Sequence, residues 1–187
     1  MTNIEKKQHR RLRSASNLGF SLLEAMISIV ILSFAVLGLA STMAESLAYM
    51  SMSQQDFIAQ QKAEQSLESV FFARDSKLYP WSQIANVSNG GIFLDGPQPL
   101  LHAGANGIVG TGQDNALIPD AIIQPGPDGI LGDEDDIKLP LSNFTRQILI
   151  SNINGQPLLR KIDVIIRYQA GRFQRQYTLT SYISSFS

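Results

Sequence analysis

The chain contains no cysteine. Disulfides, thiolate nucleophiles and metal sites built on sulfur are thereby excluded, while the compartment stays open. Histidine is nearly absent as well: His9 and His102 are the only two. No serine–histidine–aspartate set, phosphate-cradling glycine loop or HExxH helix is present. An enzyme is therefore not expected. Charge is missing over one long stretch, since nothing ionised lies between Glu24 and Glu45. Glycine and proline are missing from Ser41 to Arg74. The first gap excludes an ordinary solvated helix there, and the second excludes a turn.

What is present falls into distinct blocks. Apolar residues make up 44% of the chain and charged residues 17%, which is enough to build a core and argues against disorder. The net charge of −1 conceals an asymmetry. Lys6, Lys7, Arg10, Arg11 and Arg13 stand against Glu5 alone in residues 1–19, so the head is basic and the remainder acidic. A basic head on an acidic body suits targeting, and it argues against nucleic-acid binding by the body.

Residues 25–44 read "AMISIVILSFAVLGLASTMA". As a helix this run is about 30 Å long, enough to cross a bilayer core. A secretory signal peptide is the competing reading, because it too has a basic start and an apolar middle. The run is long for that role, lacks a clear small-residue cleavage site in a polar setting, and carries an acid near its start. The basic cluster predicts that residues 1–19 stay cytoplasmic and the rest is exported. Beyond the run, Ala, Gln, Glu, Met and Leu favour continued helix to about residue 74. Leu47, Met50, Phe57, Leu67, Val70 and Phe71 recur at near-helical spacing and predict an apolar stripe that needs a partner surface.

Glu24 is the unusual residue of this block. A lone acid toward the bilayer interior costs roughly 2.5–3.5 kcal/mol, so it ordinarily has a function and a partner. The plainer reading is a carboxylate that reaches the interface at a helix start, where the helix dipole favours it. Gly38 offers either close packing or nothing beyond an incidental glycine.

The stretch "GFSLLEAMISIVILSFAVLGL" resembles the type IV prepilin N-terminus shared by pilins, minor pilins and pseudopilins. That signature is a basic leader, a glycine, a hydrophobic residue, and a glutamate at the fifth position after the glycine. Gly19, Phe20 and Glu24 stand at those positions. The resemblance implies cleavage between Gly19 and Phe20 by prepilin peptidase, with methylation of the new amine on Phe20. It implies that Glu24 pairs with a neighbouring subunit's amine during assembly. It also implies a long N-terminal helix packed on a C-terminal antiparallel sheet. Together with "AQQKAEQSLESV" the head is most similar to the PilV-type minor pilins.

Residues 75–145 hold most of the chain's 14 glycines and 8 prolines, and read as loops with short strands at best. "GANGIVGTGQD" at 104–114 aligns with "GPDGILGDEDD" at 126–136, where Gly, Gly, Ile, Gly and Asp recur in step. The second copy carries Asp128, Asp133, Asp135 and Asp136, with Glu134 among them. Calcium takes six to eight oxygens from a loop flexible enough to wrap it, and these residues offer that chemistry without EF-hand spacing. The loop is similar in character to the calcium-binding acidic loops of major pseudopilins. A solvated acidic turn, using Gly and Asp for their backbone preferences, is the alternative. The first copy is a poorer ligand set, with Asn106, Asp114, Asn115 and Asp120.

Residues 146–187 change character again. "RQILISNI" leads to Asn154-Gly155, a hairpin signal, and "LLRKIDVIIRY" and "FQRQYTLTSYI" follow. One face is apolar, through Ile162, Val164, Ile166 and Tyr168, then Phe173, Tyr177, Leu179 and Ile183. The expectation is an α+β protein of the pilin kind. Its blocks are a removable leader (1–19), a transmembrane and assembly helix (20–44), an amphipathic helix (45–74), the glycine-rich region (75–145) and a three-stranded meander (146–187).

A minor pilin of a type IV pilus is the expected function. A pseudopilin of a type II secretion system shares the same head. A membrane-anchored binding module for DNA uptake or adhesion is the reading from another class. Arg160, Lys161, Arg167, Arg172 and Arg175 would be its basic patch, although outward bases on strands are usually a solvated face. The expected surroundings are the inner membrane, prepilin peptidase and other pilins, with the C-terminal part periplasmic and no nucleic acid bound. The destination is a surface pilus or a periplasmic pseudopilus.

Overall fold

The computed structural model describes residues 21–186, so the Gly19–Phe20 junction lies outside the described residues. The chain divides into two compact units, Met1–Ser46 and Leu47–Ser187. One helix, α1 (Leu22–Asp75), begins in the first and ends in the second.

In the first unit Ser21 stands at the helix start, its Oγ accepting from the backbone N–H of Glu24 at 3.2 Å. Ser-x-x-Glu at a helix start is the arrangement of a capping box. Every described side chain of this unit is exposed, and the helix is long and apolar enough to cross a membrane. Several of its hydroxyls are satisfied within the helix: Ser28 donates to the Glu24 carbonyl, Ser33 to Ile29 and Thr42 to Leu39. No polar side-chain hydroxyl among these needs water, which suits a lipid setting.

The second unit is an α+β arrangement in which the later part of α1 packs on an antiparallel sheet. The strands are β1 (Gln98–Pro99), β2 (Leu101–His102), β3 (Asn115–Pro119), β4 (Ala121–Gln124), β5 (Ile137–Pro140), β6 (Phe144–Ile153), β7 (Gln156–Ala170) and β8 (Phe173–Ser184). The main sheet runs β1-β6-β7-β8, while β2 pairs with β3 and β4 with β5. Val164 lies opposite Ile148 on one side and Leu179 on the other, which fixes the register of the inner face. Ile148, Ile150, Ile162, Val164 and Ile166 are buried there, and Phe144 stacks on Tyr168 with centroids 5.3 Å apart.

The helix meets this face through small side chains. Ile58, Ala59, Ala63, Ser66, Ser69, Val70 and Ala73 are its buried residues. The expected stripe is therefore corrected: Leu47, Met50 and Phe57 are exposed, and of the residues named for it only Val70 is fully buried. Alanine and serine let the helix backbone approach the sheet closely, where large side chains would hold it off. A search for large apolar residues at helical spacing passes over such a seam.

Polar groups close the remaining seams. Nδ2 of Asn86 donates to the Ile148 carbonyl at 2.7 Å, and its Oδ1 accepts from the Ile150 N–H at 2.8 Å. This side chain thus continues the pairing of β6 beyond the two residues of β1. The Arg160 guanidinium lies 4.4 Å from the ring centroid of Trp81 and donates to the carbonyls of Trp81 and Ile84. Burial holds Arg160 below its ordinary pKa. Tyr168 donates to Asp56 on α1 at 2.6 Å, and burial together with that carboxylate pushes its pKa up to about 12.

Candidate functional site

Two places carry the residues singled out by the sequence: the head of α1 and the paired glycine loops. At the head, Glu24 occupies the first turn of α1 in an otherwise uncharged segment. Its carboxylate makes no ion pair among the described residues. A negative charge in the first turn is favoured by the helix dipole. Ser21 was not singled out from the sequence, although Ser21-Leu22-Leu23-Glu24 carries the capping signature that would have found it.

The internal repeat is a repeat of structure. In each copy a short hairpin, β2–β3 or β4–β5, carries the loop between its strands. Gly107 donates to the Gly104 carbonyl at 3.0 Å, and Gly129 to Gly126 at 3.1 Å. Ile108 N–H donates to Asn106 Oδ1, and Ile130 N–H to Asp128 Oδ1. Gly110 N–H donates to Asp114 Oδ2 at 2.8 Å, and Gly132 N–H to Asp136 Oδ2 at 2.7 Å. Gly110 and Gly132 make this last bond with φ of +81° and +104°, which a side chain would resist.

The two copies differ in what surrounds them. In the first, Ile108 and Val109 are buried in the core, and Val109 N–H donates to Ser69 Oγ on α1 at 3.3 Å. Asp114 also accepts from the Thr111 N–H and lies 3.1 Å from Arg146 Nη2. Burial lowers the pKa of Arg146, an effect opposed by Asp114 and Asp120. Asp120 is held by Lys62 of α1 at 2.7 Å. The acids of the first copy are thus engaged with the protein's own cations, a role the sequence did not reveal.

In the second copy the carboxylates of Asp128, Asp133 and Asp135 are exposed, and one oxygen from each lies within 4.8 Å of the others. Asp136 stands outside this group and serves the loop backbone instead. Asp135 packs over Gly126 so closely that a Cβ there would clash with its carboxyl group. Oxygens on opposite sides of a calcium ion at about 2.4 Å from it are about 4.8 Å apart, so the spacing of the trio lies within the span of one hard cation's ligands. Three carboxylates are fewer than the ion's full shell, and water or backbone oxygens would complete it.

The other residues named from the sequence are engaged locally. His102 Nδ1 lies 3.0 Å from the Ala103 carbonyl, and Trp81 Nε1 donates to the Pro157 carbonyl. Lys161 pairs with Asp163 at 2.8 Å and Arg175 with Asp56 at 2.7 Å. Arg167 donates to Gln147, and Arg160 is on the buried face. The five bases therefore do not form one face.

Residues 15–40 match the family model of the prokaryotic N-terminal methylation motif. The match is that of a type IV prepilin-like N-terminus and covers the head alone. No curated protein and no solved structure matches the chain. The motif implies processing by prepilin peptidase and assembly with other pilins, and with the apolar helix it supports membrane anchoring. It points to a structural protein rather than an enzyme.

Proposed function

We propose that the chain is a minor pilin, a structural subunit of a type IV pilus. Prepilin peptidase cuts after Gly19, the amine of Phe20 is methylated, and the helix holds the protein in the inner membrane with its C-terminal unit in the periplasm. From there it enters the filament. The observation that carries this reading is the methylation motif over residues 15–40, with Glu24 unpaired among the described residues at the start of an exposed, uncharged helix. Once Phe20 has a free amine, a neighbour's Glu24 compensates it. Two costly charges become one pair, which fixes the register between adjacent helices. The exposed Leu47, Met50 and Phe57 extend the apolar surface available to neighbours.

Intact-protein mass spectrometry of the chain from cells with and without the peptidase tests this. Loss of residues 1–19 and a gain of one methyl group are expected only with the peptidase. A mature N-terminus other than Phe20 would overturn the proposal. A pseudopilin would be processed identically, and the apparatus that incorporates the chain separates the two.

The trio of Asp128, Asp133 and Asp135 supports a second proposal, that the loop takes calcium. A cation bound only by the folded chain must raise its melting temperature. The full-length protein in detergent is expected to melt higher in calcium than in chelator, and Asp133→Asn is expected to abolish the difference. Equal melting temperatures for the parent chain would dismiss calcium.

A further inference from the structure

We infer that an open cavity between the β6–β7 hairpin and the turn after α1, lined by Arg160 and Trp81, binds a carboxylate-bearing saccharide. Arg160 is the odd charge of the fold. It is 9% exposed, and no acid pairs with it among the described residues. A buried guanidinium ordinarily has a counter-ion, as Arg146 has Asp114. The Trp81 ring and the carbonyls of Trp81 and Ile84 stabilise Arg160 but leave its charge unneutralised. Its Nη1 is taken by those carbonyls and its Nε is shielded, so Nη2 is the part of the guanidinium that a ligand can reach.

Space for an anion lies beside it. Arg160, Trp81, Ser82, Asn152, Asn154 and Gln156 are among the residues that line a cavity of about 450 Å³. Sites for small ligands run from roughly 300 to 1,000 Å³. Two segments build this one. The turn after α1 brings Trp81, whose Nε1 donates to the Pro157 carbonyl at 3.2 Å and so ties the ring to the hairpin. The hairpin brings Arg160 and three side-chain amides. Arg160 stands opposite Asn152, where the register shifts before Ile153. An irregularity of this kind turns side chains away from the regular ladder.

The lining selects the ligand. Arg160 is the one charged residue in it, so a single carboxylate balances the cavity, through a charge-assisted hydrogen bond from Nη2. Phosphate polymers are instead held by several cations at once. The side chains of Ser82, Asn152, Asn154 and Gln156 are exposed. Each both donates and accepts hydrogen bonds, which is what sugar hydroxyls require. A carboxylate for the cation and hydroxyls for the amides together make a uronic acid the fitting class. Trp81 also borders a cleft with Arg74 and Lys77. The cavity is therefore at the end of α1 that lies about 40 Å along the helix from Leu47, where the chain leaves its apolar head.

Trp81 is the chain's one tryptophan, so its fluorescence reports on the cavity directly. Full-length protein in detergent is titrated with digalacturonate. A saturable change is expected. Binding should be at least tenfold weaker with galactobiose, which lacks the carboxylates, and absent with acetate, which lacks the ring. Arg160→Met should weaken digalacturonate binding at least tenfold. If that variant does not fold, Asn154→Ala combined with Gln156→Ala decides, because both side chains are exposed, and a several-fold loss is expected. No saturable change with digalacturonate would overturn the inference. So would equal binding of galactobiose, acetate or inorganic phosphate, or parent-like affinity in either variant. Processing at Gly19 is read separately by mass, so failure here leaves the proposed subunit role standing.

Discussion

Asp114→Ala is expected to destabilise the C-terminal unit by about 3–5 kcal/mol, the usual loss when one member of a buried ion pair is removed. The side chains of Arg146 and Asp114 are 1% and 7% exposed. Nε and Nη1 of Arg146 already lack hydrogen-bond partners, so without Asp114 a buried guanidinium would keep almost no compensation. The reverse deletion is milder. In Arg146→Met, Asp114 keeps the N–H groups of Gly110 and Thr111 and the Thr111 hydroxyl. An apolar side chain of similar size also suits the site. The order of loss should therefore be Asp114→Ala above Arg146→Met, and the pair combined should lose less than the sum. Urea midpoints of the full chain in detergent at constant m measure this. If Asp114→Ala does not fold, Asp114→Asn gives the same ordering. A smaller loss at Asp114 than at Arg146 would show that the packing of the Arg146 side chain, and not the carboxylate, is the main requirement.

Glu24→Ala has the largest expected effect on assembly. The variant should insert into the membrane as well as the parent chain, because removing a charge only makes the segment more apolar. It should be depleted from sheared filaments by an order of magnitude or more, since a neighbour's amine would remain uncompensated at about 3–5 kcal/mol. Ser21 supplies a competing explanation, because glutamate also belongs to the capping box. Glu24→Gln separates the two, as glutamine keeps the cap and loses the charge. Depletion of both variants from filaments supports pairing. Normal incorporation of Glu24→Gln would assign Glu24 to the cap.

Much of this architecture was readable from residue order. The missing charge between Glu24 and Glu45 and the missing Gly and Pro up to Arg74 led to one helix, observed as Leu22–Asp75. Alternating apolar residues about Asn154-Gly155 led to the sheet of β6, β7 and β8. The packing surface of α1 was not readable, because Ala59, Ala63 and Ala73 have little hydrophobic weight and become core only through the sheet's close approach. The fate of the loops was also hidden. Their shared letters announce a shared backbone, but Arg146 and Lys62, which hold the first copy, lie outside the repeat. The acidic trio was visible as composition. The separation of Asp136 from it was not, because that depends on a loop N–H.

The duplicated loop has a consequence for how this sequence tolerates change. Ile108 and Ile130 are the same letter in the same local turn, yet one is walled in and the other faces solvent. Polar residues would be purged at the first by loss of the folded state. At the second they would leave the fold intact. The second loop is therefore free to change without cost to folding, while its twin keeps the backbone shape the two share.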